Sequence, residues 1–215
     1  WPNISKKKES FSKEEQDKWS KSKYFGMTKE EIKDSWNKNG REASAAGTKL
    51  HEDIEYFWNN KPRDNDSVEY GYFRKFVEQY EHLKPWRTEM MVYHDEWGFA
   101  GSIDMIFENP DGSLDIYDWK RSKAIRKDNR FECATEECIS HLPNANFWHY
   151  ALQLNTYKAI LEDKYGKQVR GLYLVCLHPN NFNKSFLRFK VPHLAMEMND
   201  LLALRTQKLN ASAGL

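Results

Sequence analysis

The stretch Gly101–Lys123, GSIDMIFENPDGSLDIYDWKRSK, decides how the chain folds. It contains two largely apolar runs, residues 103–107 and 114–119, and the tetrapeptide NPDG between them is a strong turn signal. We therefore predict two antiparallel strands joined by a tight turn. Three charged residues interrupt or end these apolar runs: Asp104, Asp118 and Lys120. They require an explanation, because burying an unpaired charge in a sheet is energetically costly.

The turn sets the register of the two strands. A three-residue loop over 110–112 places Gly112 in the left-handed conformation that such loops need. In this register Asp104 lies directly opposite Asp118, and Lys120 lies on the same face two residues further along. Carboxylates that face each other repel. A divalent cation between them removes the conflict, and two carboxylates form a hard oxygen site that suits Mg²⁺ or Mn²⁺. The alternative is an ordinary surface salt bridge.

Patterns on either side of this hairpin predict an α/β domain with a mixed central sheet. Helical spacing or capping signals mark five segments: Thr28 to Gly40, 43–58, 67–82, 146–166 and 194–209. Apolar patterns of period two mark five strands: 87–94, 99–107, 114–120, 169–178 and 185–192. We expect Pro85 to end the region before the first strand. The predicted order is helices, a three-strand meander, a helix, two strands and a final helix.

The composition is that of a folded domain with an apolar core. Of 215 residues, 40% are hydrophobic and 30% are charged, and the formal net charge is +1. No Pro/Gly/Ser-rich linker divides the chain, so we predict a lysine-rich polar arm at 1–23 and one domain over 24–215. No apolar run is long enough to span a membrane, and no signal peptide is recognisable. Three cysteines do not make a disulfide framework, and together these points predict an intracellular protein without a membrane partner.

Four polar residues on predicted helices are weaker candidates for the same site. His51 lies beside an apolar helical stripe, where a lone histidine is more often a hydrogen-bonded core residue than a ligand. Glu55 follows one turn later and is a group that positions the ligands, a ligand itself, or part of a solvated face. Gln153 and Tyr157 are four residues apart and therefore share one helical face, which is otherwise an ordinary amphipathic edge.

Two further features lie close to the predicted hairpin. If DEWG (95–98) connects the first two strands, Glu89 lies opposite Asp104; a strand glutamate that faces solvent is the equal alternative. After the hairpin, the segment 120–130 carries six cations against one acid. Such a cluster would follow a phosphate backbone, although an exposed charged loop has the same composition. The candidate nucleic-acid contacts in this segment are Arg121, Ser122, Lys123, Arg126 and Lys127.

Four motifs together resemble the PD-(D/E)XK nuclease superfamily and, within it, the RecB-type exonuclease branch. GSID (101–104) and DWK (118–120), whose aspartates are fourteen residues apart, resemble the nuclease core. QLNTY (153–157) resembles the glutamine–tyrosine helix motif, and GTKLHEDIE (47–55) is similar to the N-terminal histidine motif. The resemblance implies a restriction-endonuclease-like core. The iron–sulfur subgroup of the family uses four cysteines, which this chain lacks, so we expect no iron–sulfur cluster.

The resemblance also implies a role for each matching residue in the core. Asp104 and Asp118 would bind one or two ions of Mg²⁺ or Mn²⁺. The backbone carbonyl of Trp119 would be a third ligand, and His51 would be a further ligand from its helix. Lys120 would orient or help activate the attacking water and stabilise the charge of the phosphorane.

The function that the resemblance implies is hydrolysis of DNA phosphodiester bonds to leave 5′-phosphates, in replication, recombination, repair or defence. Gln153 and Tyr157 would contact the substrate backbone or support Lys120. We expect exonuclease action on DNA that is single-stranded or has free ends, with a helicase or a larger polypeptide as a further partner. The alternatives are an RNA-directed endonuclease of the same fold, an inactive nucleic-acid-binding module, and an α/β binding domain with buried salt bridges.

Overall fold

Helices surround a single five-stranded sheet in the part of the chain that the structure describes. The structure is a computed structural model that describes residues 12–213, apart from the side chain of Ala213. The helices are α1 (Lys13–Ser20), α2 (Lys29–Trp58), α3 (Val68–Gln79), α4 (Asn146–Asp163) and α5 (Ala195–Ala213), with a 3-10 turn at Glu137–Ile139. The strands are β1 (Lys84–His94), β2 (Phe99–Glu108), β3 (Leu114–Lys120), β4 (Val169–Cys176) and β5 (Leu187–Lys190). The predicted α/β class and element order are confirmed.

The chain divides into two compact units, residues 1–48 and 49–215. In the first unit, α2 begins at a capping box in which Glu31 Oε2 accepts from Thr28 N at 2.7 Å and Glu31 N donates to Thr28 Oγ1 at 3.2 Å. Residues 1–11 of the predicted arm lie outside the described residues, and the predicted boundary after residue 23 stays a prediction. No helix in the described range combines the length and the apolar character that crossing a bilayer requires.

The sheet of the second unit is buried on both faces. Its strand order is β1-β2-β3-β4-β5, with β3 and β4 parallel and the other neighbours antiparallel. One face packs against α4 and α5 through residues that include Ile116, Leu154 and Met198. The other face packs against α3 and the last turns of α2 through residues that include Trp119, Phe76 and Ile54. Because side chains alternate between these two covered faces, β3 reads as a nearly continuous apolar run.

The predicted register of the β2–β3 hairpin is confirmed. Met105 pairs with Tyr117, and the ladder continues to Glu108 and Leu114. The loop is closed by a hydrogen bond from Asn109 N to Ser113 O at 2.8 Å. Gly112 has a φ of 81°, the left-handed conformation that the three-residue loop requires.

Two predicted boundaries are wrong, because tertiary context outweighs a local preference at each. Gly40 was expected to end a helix, but α2 continues through it to Trp58. A glycine inside a helix costs only about 0.5–1 kcal/mol relative to alanine, which packing can offset. Pro85 was expected to precede the first strand, but it lies inside β1 next to a register shift between Pro85 and Arg87. β1 is an edge strand, where a missing N–H donor is tolerated.

Candidate active site

The two central aspartates lie where the β2–β3 ladder ends. Met105 and Tyr117 form the last pair of that ladder, so Asp104 and Asp118 occupy the next position of the same register. Across this position, Trp119 N donates a hydrogen bond to Asp104 Oδ2 at 2.9 Å. The bond joins the carboxylate of β2 to the backbone of β3, so the hairpin itself positions Asp104.

Lys120 balances the charge of Asp118. Its Nζ lies 2.6 Å from Asp118 Oδ2, and Asp118 is only 2% exposed. The same oxygen accepts no well-aligned hydrogen bond from another described residue, so the ion pair is the interaction that holds it. The ammonium also lies over the ring of Tyr150, 4.8 Å from its centroid, in a cation–π contact. Tyr150 of α4 is therefore a neighbour of Lys120 that the motif spacing did not identify.

Two carboxylates share this buried space with one ammonium group. Burial and, secondarily, the charge of Asp104 raise the pKa of Asp118 to about 7, although Lys120 opposes the shift. Burial likewise raises the pKa of Asp104 to about 6, against the opposing effects of Lys120 and the Trp119 N–H. Burial is the largest single influence on the pKa of Lys120 and would lower it, but the charge of Asp118, its hydrogen bond with Lys120 and the charge of Asp104 together raise that pKa. Carboxylates that resist ionisation in a buried cluster are more typical of functional sites than of structural ion pairs.

Three side chains present candidate metal ligands around Asp104. One ligand atom each from His51, Glu89 and Asp104 lie within 4.8 Å of one another. His51 Nδ1 is 3.5 Å from Asp104 Oδ2, and burial lowers the pKa of His51, which favours the neutral imidazole that metal binding requires. Two carboxylates and an imidazole suit Mn²⁺, and carboxylates suit Mg²⁺. These residues, with the buried oxygen of Asp118 nearby, fit a divalent cation.

Glu89 reaches this cluster through an unusual backbone conformation. The predicted β1–β2 register is confirmed, because Met90 pairs with Ile103 and Thr88 pairs with Met105. Glu89 lies between these pairs with a φ of 43°, which a residue with a side chain rarely adopts. Ser102 Oγ donates a hydrogen bond to Glu89 Oε2 at 2.9 Å and orients the carboxylate. Sequence patterns indicated Glu89 as a neighbour of Asp104, but nothing in them indicated Ser102 as its partner.

The helix residues Gln153 and Tyr157 contact each other. Gln153 Nε2 donates to Tyr157 OH at 3.2 Å, as expected for residues one turn apart. The Tyr157 ring packs so closely on Gly101 of β2 that a Cβ there would lie 2.7 Å from Tyr157 Cε1. Glu55 is half-buried one turn after His51, and no contact among the described side chains joins it to the carboxylates. The catalytic roles of these residues stay predictions.

Gly101→Ala should lower the free energy of unfolding by about 1–3 kcal/mol, the usual range for overpacking a filled site. The added methyl would displace the Tyr157 ring and with it the contact to Gln153. Gly40→Ala is the matched control, because no atom lies within 4 Å of its added Cβ. It should raise the free energy of unfolding by about 0.5–1 kcal/mol through helix propensity. Denaturant unfolding followed by circular dichroism measures both, and an unchanged Gly101→Ala would show that the ring moves freely.

The basic segment after β3 separates into engaged and available side chains. Arg121 Nε lies 2.6 Å from Glu69 Oε1 in a largely buried ion pair. Ser122 Oγ donates to Ala124 O at 3.0 Å. The other candidates are exposed and form no ion pair with a described residue: Lys123, Arg126 and Lys127. A direct contact between these side chains and nucleic acid stays a prediction.

Comparison with known proteins finds no matching family model and no matching curated protein. Among solved structures, a repair endonuclease from Pyrococcus abyssi is similar with a TM-score of 0.28 and 19% identity, over 52% of this chain and 39% of that one. The complex of EndoMS with double-stranded DNA is similar with a TM-score of 0.29 and 17% identity, over 52% of this chain and 39% of that one. A protein provisionally named an exonuclease, from Eubacterium rectale, is similar with a TM-score of 0.32 and 11% identity, over 72% of this chain and 73% of that one. The chain thus spans about two fifths of the first two proteins, and at these scores the similarity gives no information about activity.

Proposed function

We propose that this chain is a metal-dependent nuclease that hydrolyses phosphodiester bonds in DNA. The observation that supports it is the pair of carboxylates at facing positions, the buried Asp118 and the largely buried Asp104, with Lys120 as the cation that pairs with Asp118. Structural ion pairs elsewhere in the molecule are balanced, as in Arg121 with Glu69. The excess of negative charge beside a histidine favours a cation-binding site over a structural salt bridge.

The metal would be held by His51, Glu89 and Asp104, with Asp118 and the Trp119 carbonyl as further ligands. The carboxylate and carbonyl oxygens in this set suit Mg²⁺ or Mn²⁺, as one or two ions. A divalent cation bound there lowers the pKa of a coordinated water and neutralises charge on the scissile phosphate. The neutral imidazole of His51 and the strained backbone of Glu89 are consistent with a ligand set arranged before substrate binds.

Lys120 acts in this proposal as a cation. Its raised pKa keeps the ammonium protonated, so it donates hydrogen bonds and does not accept the proton of the attacking water. It orients that water and stabilises the negative charge that develops on the phosphorane. In-line attack then expels the 3′-hydroxyl group and leaves a 5′-phosphate.

The resemblance to the RecB-type branch supports exonuclease action on DNA with free ends, within replication, recombination, repair or defence. Gln153 and Tyr157 would contact the substrate backbone from α4. The same resemblance supports a helicase or a larger polypeptide as partner, in an intracellular setting.

The test is cleavage of end-labelled linear and covalently circular DNA, each single- and double-stranded, in Mg²⁺, Mn²⁺ or EDTA. The expected result is metal-dependent loss of linear DNA with circles spared. Lys120→Ala, purified in the same way, should be inactive and controls for contaminating nucleases. Cleavage of circles would replace exonuclease with endonuclease action, and a preference for RNA would favour the RNA-directed alternative. If the protein binds DNA but cleaves it in neither Mg²⁺ nor Mn²⁺, the result would support the alternative of an inactive nucleic-acid-binding module.

A further inference from the structure

An open groove follows the end of β3 along the chain. It measures about 560 Å³ and runs between the segment 122–131 and the start of α4 at residues 144–146. Its first lining residue, Ser122, is two positions after Lys120. A polymer bound across the carboxylates would therefore enter this groove on one side of the cleaved bond.

The lining of the groove carries uncompensated positive charge. Lys123, Arg126 and Arg130 line it together with a single acid, Asp128. All three cations are exposed, and none forms an ion pair with another residue in the range 12–213. Cations that are not held by protein partners can neutralise phosphates and release the condensed counterions of a nucleic acid.

The rim of the groove bears an aromatic ring that the fold does not use. Phe131 is 94% exposed, and its ring makes no contact with another aromatic residue of the described chain. An aromatic ring beside a basic groove is the arrangement on which proteins stack unpaired bases of single strands.

The turn that carries Phe131 is fixed by hydrogen bonds. Asn129 Oδ1 accepts from Phe131 N at 3.0 Å and from Glu132 N at 3.3 Å. Asn129 Nδ2 donates to Asn144 O at 2.8 Å, which ties the turn to the residues before α4. The ring is thus presented on an ordered turn, which reduces the entropy lost when a ligand binds.

We propose that this groove binds a single-stranded polynucleotide next to the cleaved bond. Phosphates would contact Lys123, Arg126 and Arg130, and an unpaired base would stack on Phe131. A duplex can contact the cations through its phosphates but cannot stack a base on Phe131, because the faces of its bases are covered by neighbouring base pairs. The position relative to the cleaved bond rests on the proposed function, whereas strand binding itself does not depend on cleavage.

The test measures binding of fluorescein-labelled oligonucleotides by anisotropy in EDTA, where metal-dependent cleavage cannot occur. The probes are a single-stranded DNA, an RNA of the same sequence and a blunt DNA duplex. Phe131→Ala should weaken binding of the single strands roughly tenfold and leave the duplex unchanged. Phe182→Ala is the matched control, since Phe182 is also a highly exposed phenylalanine, at 84%, and lies outside the groove. It should change the binding of none of the three probes.

Charge is tested separately with Arg126→Gln. It should weaken binding of all three probes and reduce the slope of log K against log salt by about one. If Phe131→Ala loses the same affinity for single-stranded DNA and for RNA, the result supports binding of unpaired bases in the groove. A larger loss of affinity for DNA would show in addition that the groove distinguishes deoxyribose from ribose. The proposal is overturned if Phe131→Ala weakens the binding of duplex and single strands equally, or if it weakens the binding of neither. In that case we would infer that Phe131 contacts a protein partner.

The outcomes also separate this inference from the nuclease proposal. Phe131-dependent binding in a protein that never cleaves would support the groove and overturn the proposed activity. Cleavage that depends on Lys120, in a Phe131→Ala protein that binds every probe like the wild type, would overturn the groove alone.

Discussion

Asp118→Asn should reduce DNA cleavage by about 10²–10³-fold, the range seen when one preorganised electrostatic group is removed from an active site. The substitution keeps the shape of the side chain but removes a charge that a bound metal would require. It should not destabilise the metal-free protein above pH 7. There the buried Asp118 is ionised, and its raised pKa, about 7, shows that the fold disfavours that ionised form.

Asp115→Asn is the matched control for this prediction. Asp115 lies in the same strand with the same 2% exposure, but its carboxylate is bound by Arg170, with Oδ2 2.9 Å from Nη2. This variant should lose about 1 kcal/mol of stability, because the partner arginine is half-exposed, and should keep its cleavage rate. Cleavage assays and thermal melts on both variants give the comparison. Wild-type activity in Asp118→Asn, or a shared loss of stability, would contradict the assignment of Asp118.

Metal ions should stabilise the protein strongly near pH 8 and hardly at all near pH 5. The pKa of Asp104 is raised to about 6 and that of Asp118 to about 7, from ordinary values of 3.8. The native state therefore binds these protons more tightly than the unfolded state does. Without metal, the free energy of unfolding should fall as the pH rises from about 4 to about 7 and then level off. A metal ion binds only the ionised carboxylates, so it restores stability in the upper part of this range.

The expected size of this effect is large for one bound ion. A metal concentration about 100-fold above the dissociation constant contributes about 2.7 kcal/mol, which corresponds to about 5–10 °C in melting temperature for a chain of this length. Melts in Mn²⁺, Mg²⁺ and EDTA at the two pH values measure it. Asp104→Asn should abolish the shift. An equal shift at both pH values, or one that persists in Asp104→Asn, would place the metal elsewhere.

The hairpin and its charges were predictable because local chemistry determines them. Gly112 permits only a few loop geometries, and the loop length then decides which residues of β2 and β3 face each other. Charges inside an apolar strand are improbable without a partner, so Asp104 and Asp118 indicated the candidate site before any fold was known. The β1–β2 register followed from the short DEWG connection for the same reason.

The parts that were not predictable depend on contacts between distant segments. Arg121 reads as a free cation in the basic segment, but Glu69 lies fifty-two positions earlier in the chain and binds it. Tyr150 reads as core and lies beside Lys120 only because α4 crosses that strand end. Phe131 would be assigned to the core by composition, and its exposure depends on the turn that Asn129 holds. Sequence spacing carries no signal for such partners.

The backbone at Glu89 has a consequence for attempts to make this protein more thermostable. A left-handed conformation costs a residue with a side chain about 1–2 kcal/mol, which glycine avoids and which asparagine tolerates better. A design method that scores the conformational energy of the backbone would therefore select Glu89→Gly or Glu89→Asn. We expect either substitution to raise the melting temperature. Under the proposed function, the same substitutions would remove the Glu89 carboxylate from the group of candidate ligands that it forms with His51 and Asp104. Stability and activity would then oppose each other at this position, so a stabilising screen without an activity readout would select against the proposed site.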